Sequence, residues 1–210
     1  MEIATLIKFG SYENICLLRD EGEIYMNTLP YFRGIEDDGL RGDQFDCVNE
    51  IQRGTKGHVV IPNTGKRIEI SKFELRIGPD NPEQINLYCM YALRALRDSY
   101  PIHEKNFRFG SHALIILNAD KFMDKVRVAM RENRMNGKGN LVDYLDHNHT
   151  GDVGPFKKLN KFSYQSEWRL VCNNGDGKPR KLIIGPINDI SRLVETQNIN
   201  NEVTVTYSSQ

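Results

Sequence analysis

Two residues of opposite charge, Glu167 and Arg169, stand two apart in the stretch from Phe162 to Cys172, which also holds the chain's only tryptophan, Trp168. Bulky apolar and charged positions alternate here with the period of a strand. Glu167, Arg169 and Val171 are therefore expected on one face, and Trp168, Leu170 and Cys172 on the other. A carboxylate and a guanidinium about 6.6 Å apart along a strand can reach one polar ligand, or they can pair with partners across the sheet. The first arrangement is a site. The second is a ladder of ion pairs on a half-solvated face, where exposed pairs contribute little stability. Spacing leaves both open.

The richest polar stretch runs from Pro30 to Asp46. It mixes Tyr31, Phe32 and Phe45 with Arg33, Arg41 and the acids Glu36, Asp37, Asp38, Asp43 and Asp46, and its glycines at 34, 39 and 42 let the backbone fold back close to a ligand. As a pocket wall, Arg33 and Arg41 would clamp an anion and the aromatic residues would offer a stacking surface. Otherwise it is a solvated loop pinned by its aromatic residues. The acids do not follow the calcium-loop pattern, and His147 and His149 have no Cys or Glu at a familiar metal-site spacing, so no metal is expected. Metal-assisted nuclease action by Asp37, Asp38, Asp43, Asp46 and Glu167 stays open as an alternative, on condition that they converge. Lys157, Lys158 and Lys161, just before Glu167, are suited to attract phosphate.

With 28 basic and 28 acidic residues among 210, the formal net charge is zero, and the total advertises neither nucleic acid nor an anionic membrane. A 39% hydrophobic fraction supports a folded core, and no break in composition divides the chain, so residues 1–210 are read as one domain. The opening residues lack the pattern of a secretory leader and no segment has the length of a membrane span, so a cytoplasmic protein is expected. Cys16, Cys47, Cys89 and Cys172 form no close pair and read as reduced, largely buried thiols.

The elements read as a mostly antiparallel α+β fold with short helices at its flanks. A strand over Ala4–Phe9 leads to a short helix capped by Ser11 and stopped by Gly22, then a strand over Glu23–Asn27. A hairpin spans Gly57 to Ile70. A strand from Ile85 runs into a short helix ending at Leu96, His112–Leu117 is an interior strand, and Lys121–Arg131 is an amphipathic helix. Residues 133–154 read as loop, 167–184 as a hairpin, Ile190–Glu195 as a short helix and Glu202–Tyr207 as a closing strand.

Several short motifs lie across most of the chain: Leu6-Ile7-Lys8-Phe9, Glu23 to Asn27, Pro30-Tyr31-Phe32, Gln44-Phe45-Asp46, Asn86 to Cys89, Lys157 to Phe162, Tyr164 to Leu170, and Lys181 to Gly185. Together they resemble a large family of uncharacterised bacterial and phage proteins with a late Glu-Trp-Arg-Leu strand. This chain departs from the family where residues 33–38 replace an Asn-Asp-Pro loop, and at Met90, which is more often aromatic. The opening strand, short helix and strand are distantly similar to ADP-ribosyltransferases. That likeness implies NAD as cofactor, a nucleotide site, a nucleic acid or protein target, and a place in phage–host conflict, as an antiviral or toxin activity. On it, Glu167 is the catalytic carboxylate with Arg169 beside it, Tyr25 or Tyr31 stacks on nicotinamide, and Arg33 or Arg41 holds the pyrophosphate. The alternative is a binding module without catalysis.

Overall fold

The first strand, β1 (Ile3–Gly10), ends where the Ser11 hydroxyl accepts the Asn14 N–H and opens a short helix, α1 (Tyr12–Cys16). The helix continues as a π-helical stretch, Leu17–Glu21, and stops at Gly22, whose φ of +71° is a left-handed angle that glycine adopts freely. A Cβ there would lie 2.1 Å from the backbone oxygen of Gly185. β2 (Glu23–Thr28) follows and runs into α2 (Leu29–Arg33), which Thr28 caps. The pocket wall expected from Pro30 therefore begins as a turn of helix.

The remaining elements are β3 (Glu50–Gly54), β4 (Gly57–Ile61), β5 (Lys66–Ile70), β6 (Phe73–Ile77), β7 (Asn86–Arg94), β8 (His112–Ile116), α3 (Ala119–Glu132), β9 (Gly137–Leu141), β10 (Asp143–Leu145), β11 (Gly151–Asp152), β12 (Lys157–Leu159), β13 (Glu167–Cys172), β14 (Arg180–Ile183), β15 (Ser191–Glu195) and α4 (Ile199–Glu202). This computed structural model describes residues 3–35, 40, 42–94 and 99–204. They form an α+β domain dominated by an eight-stranded sheet in which every strand pair is antiparallel.

β7 is the spine of that sheet. One of its edges pairs with β13 from Asn86 to Tyr91. The other edge is shared, since β2 takes Asn86 and Leu87 while β1 takes Tyr91 to Arg94. Tyr88, Cys89 and Met90 are left without a strand partner there, and the sheet forks. Leu6, Met90, Trp168 and Leu170 bury one sheet face together with Phe122 and Val126 of α3, which Asn118 caps. The opposite face carries Ile7, Phe9, Tyr91 and Ile115, and beyond them a smaller cluster of Leu29, Cys47, Leu87 and Val171. β4 and β5 form a separate hairpin with the expected bounds.

Five expectations for the elements need correction. β7 continues as strand to Arg94 where a helix was expected, because Tyr91, Ala92 and Leu93 are buried between β1 and β13. Residues 133–154 contain β9, β10 and β11, and β9 completes the outer edge of β13. β13 and β14 do not pair with each other; β14 pairs with β2. Ser191–Glu195 is the edge strand β15, preceded by a 3-10 turn at Asn188–Ile190. Of the closing strand expected over Glu202–Tyr207, Glu202 instead ends a turn of helix, Ile199–Glu202, whose Ile199 is fully buried, and residues 205–207 lie outside the described residues. In each case a tertiary partner, invisible in local propensity, decides the outcome.

Candidate functional site at the fork of the sheet

β13 alternates as its sequence predicts, with Glu167 opposite Tyr91 and Arg169 opposite Cys89 on β7. The expected half-solvated face is not present, since all six residues of β13 are buried and Arg169 is 0% exposed. A charge pair in that position needs partners for nearly every hydrogen-bonding group. The Arg169 Nε donates to Glu167 Oε1 at 2.7 Å, its Nη1 donates to Asp46 Oδ1 at 2.6 Å and to the Pro155 carbonyl at 2.9 Å, and its Nη2 reaches Asp46 Oδ2 at 3.3 Å. On the other side of Glu167, the Lys158 Nζ donates to Oε2 at 2.9 Å and to the Gln165 amide oxygen at 2.8 Å.

Local backbone structure sets this cluster in place. A 3-10 helix, Asn160–Gln165, ends at Ser166, whose φ of +37° is a left-handed conformation unusual for a residue with a side chain. Its hydroxyl donates to the Ala92 carbonyl and its N–H to the Ser163 carbonyl, and together they hold the bend that swings the chain into β13. Gln165 and Glu167 are thereby brought to the same Lys158 ammonium. The Glu167 N–H donates to the Tyr144 hydroxyl at 2.9 Å, which fixes its backbone. Asp46 is fixed twice, through its carboxylate by Arg169 and through its carbonyl by the Arg33 Nε and Nη2 at 3.0 and 2.6 Å.

Burial pushes the Glu167 carboxyl up, but Arg169 and Lys158 outweigh it and hold the group well below the usual carboxylate range. Burial likewise draws Lys158 down, and Glu167 and Asp46 more than reverse it. Glu167 is thus an ionised carboxylate in a place that would otherwise neutralise it. Burial, assisted by Glu167, pushes the nearby Cys89 thiol up to about 12.

The cluster forms one wall of a cavity of about 190 Å³ at the fork. Glu167, Arg169, Lys158 and Asp46 line it on the charged side, and Tyr25, Phe32, Tyr88, Tyr91 and Phe109 supply aromatic surface. Lys8, Asn106 and Gln165 add to the polar lining. Of the residues expected at a site, Glu167, Arg169, Tyr25, Phe32, Asp46 and Lys158 meet here. Tyr31 does not line the cavity; it is 51% exposed and stacks edge-on with Phe32, its ring centroid 5.6 Å away. Arg33 does not line it either, because its guanidinium is engaged at the Asp46 carbonyl. Arg41, Glu36, Asp37 and Asp38 lie outside the described residues. Among the described residues, no three or more His, Cys, Asp or Glu side chains are grouped to hold a metal ion.

Sequence reasoning assigned no role to Lys8, Gln165, Asn106 or Cys89. Lys8 carried a signal, being the one charge in the apolar run Leu6-Ile7-Lys8-Phe9. Asn106 carried none, since it belongs to a 3-10 turn, Glu104–Phe109, that is joined to Tyr164 only in three dimensions, by a 2.8 Å bond to its carbonyl. No family model, curated protein or solved structure matches the chain.

Proposed function

We propose that the cavity binds the nicotinamide riboside part of NAD and that the chain transfers ADP-ribose to a nucleic acid or protein acceptor, with Glu167 as the catalytic carboxylate. The observation that carries this reading is an ionised carboxylate, rigidly held at the wall of an aromatic-lined cavity. In such a transfer the bond from the nicotinamide nitrogen to the ribose anomeric carbon breaks, nicotinamide leaves with the bonding electrons, and the acceptor's nucleophilic atom bonds to that carbon and loses its proton. Positive charge grows on the sugar meanwhile, and a preorganised carboxylate lowers the barrier to it. A carboxylate accepts about four hydrogen bonds, and the bonds from Arg169 and Lys158 leave acceptor capacity on both oxygens for a sugar hydroxyl.

The remaining roles follow from position. Tyr25 supplies the stacking ring, Arg169 positions Glu167, and the anion clamp expected of Arg33 passes to another cation. The volume of about 190 Å³ suits a ring with its sugar and the adjoining phosphate, below the roughly 300–1,000 Å³ of sites that enclose a drug-sized ligand, so the adenylate half of a dinucleotide would lie outside the cavity. A second reading, a binding module without catalysis, is favoured by one observation: most hydrogen-bonding groups of Arg169 and Lys158 are already engaged within the protein. Incubation with NAD labelled in its adenylate half, alongside protein, DNA and RNA acceptors, separates the two. Transfer of label supports the first, whereas NAD bound but intact supports the second.

A further inference from the structure

The charges lining the cavity do not cancel. Lys158 pairs with Glu167, and Arg169 pairs with Glu167 and Asp46. Lys8 remains. Its Nζ donates to the Cys89 carbonyl at 2.8 Å and lies 4.2 Å from the Tyr88 ring centroid, and among the described residues it has no ion-pair partner. The fork explains how it reaches this place. β1 pairs with β7 only as far as Ile7 opposite Tyr91, so at the next residue the lysine side chain crosses the open edge and bonds the Cys89 carbonyl that no strand reaches. One N–H of the ammonium is used in that way, and two are left beside the cavity. A cation without a counter-charge is costly to bury, and burial lowers the affinity of the Lys8 amine for its proton, with Cys89 and Glu167 acting in the opposite sense.

We infer that Lys8 is the anion-recognition residue of the cavity and that the natural ligand presents a compact anion, a phosphate or a carboxylate, to its Nζ at the fork of the sheet. This deepens the nucleotide reading and rests on the same cavity, but it concerns the ligand's charge rather than its chemistry. An anion beside Lys8 supplies the missing counter-charge, while the fixed carboxylates of Asp46 and Glu167 keep it on the Lys8 side. The ring of Tyr88 holds the ammonium in place by a cation–π contact.

The test is calorimetric titration of the whole chain with inorganic phosphate and, separately, acetate, on wild type, Lys8→Met and Lys8→Arg, with a thermal melt of each. Wild type is expected to bind at least one of the two anions with a Kd in the millimolar range, Lys8→Arg to stay within about threefold, and Lys8→Met to lose about tenfold or more. Tighter binding of phosphate identifies a phosphoryl ligand, and tighter binding of acetate a carboxylate ligand; both support the inference. If Lys8→Met does not fold, Lys8→Gln replaces it. No binding of either anion by wild type, or equal binding by the charge-free variant, overturns the proposal. Failure here with NAD turnover intact removes only the role of Lys8; anion binding at Lys8 without NAD turnover removes only the transferase reading.

Discussion

Arg169 and Asp46 lie 123 residues apart in the chain and meet in the interior, with 2.6 Å between Nη1 and Oδ1 and side-chain exposures of 1% and 5%. This pair ties the loop after α2 to the central strand β13 and so closes the charged wall of the cavity. Removing Arg169 leaves Asp46 a buried carboxylate with no other ion-pair partner among the described residues, whereas removing Asp46 leaves Arg169 its contact to Glu167. Arg169→Met is expected to destabilise the fold by about 3–5 kcal/mol and Asp46→Asn by a smaller amount, since the Nε contact to Glu167 survives in the latter. Urea denaturation of both variants measures the difference, and losses under 1 kcal/mol for Arg169→Met would remove the pair from the account.

Acid stability tests the charge state of Glu167. Its carboxyl is held well below the usual range in the folded protein by Arg169 and Lys158, against burial. A depressed folded value contributes stability that is fully present above the unfolded value, about 4.3 for glutamate, and that drains away as pH falls below it. Melting temperature should therefore drop more steeply below about pH 4.3 in wild type than in Glu167→Gln, which lacks the titrating group. Parallel curves for the two proteins would contradict this.

Thiol chemistry reports on the same wall. Burial pushes Cys89 up to about 12 and Cys172 to about 11, and raises Cys47 further still. Because the thiolate is the reactive form, these three should be alkylated by iodoacetamide at pH 8 far more slowly in the native protein than in urea. Mass spectrometry of peptides taken at successive times reads this directly; rapid native labelling of Cys89 would mean that the fork is open to solvent.

At Gly22 the backbone itself is under test. Gly22→Ala places a Cβ against the Gly185 backbone oxygen at a φ of +71°, so both sterics and conformation oppose it. A loss of about 1–3 kcal/mol is expected in a denaturant melt, whereas the same change at Gly65, where a Cβ meets no neighbour within 4 Å, should cost less despite its φ of +65°.

Much of the fold can be read in the chain because its signals are local. Ser11 and Gly22 bracket the first helix, Asn118 opens α3, and the alternation of β13 puts Glu167 and Arg169 on one face. The candidate site was legible at Glu167, Arg169 and Tyr25. It was not legible at Lys158 as a partner of Glu167, which depends on the 3-10 helix and bend that swing the chain into β13, nor at Lys8, which depends on how β1 and β2 divide one edge of β7. Arg33 shows the limit from the other side. Its residue type and setting suit an anion clamp, yet the position of Asp46 gives its guanidinium a backbone carbonyl instead. The family resemblance and the transferase chemistry belong to the proposal and are tested only by function.

Glu167→Gln bears most directly on that proposal. The variant keeps the shape of the side chain and removes the charge, leaving Lys158 without its carboxylate, so a stability loss of about 3 kcal/mol is expected, and assays belong at a temperature where circular dichroism shows it folded. The decisive measurement is release of nicotinamide from NAD, with transfer of the labelled adenylate half, by wild type and Glu167→Gln side by side. Wild type is expected to turn NAD over, with a fall of about 100-fold or more in the folded variant. Turnover unchanged in the variant, or no binding and no cleavage of NAD by wild type, would contradict the proposal.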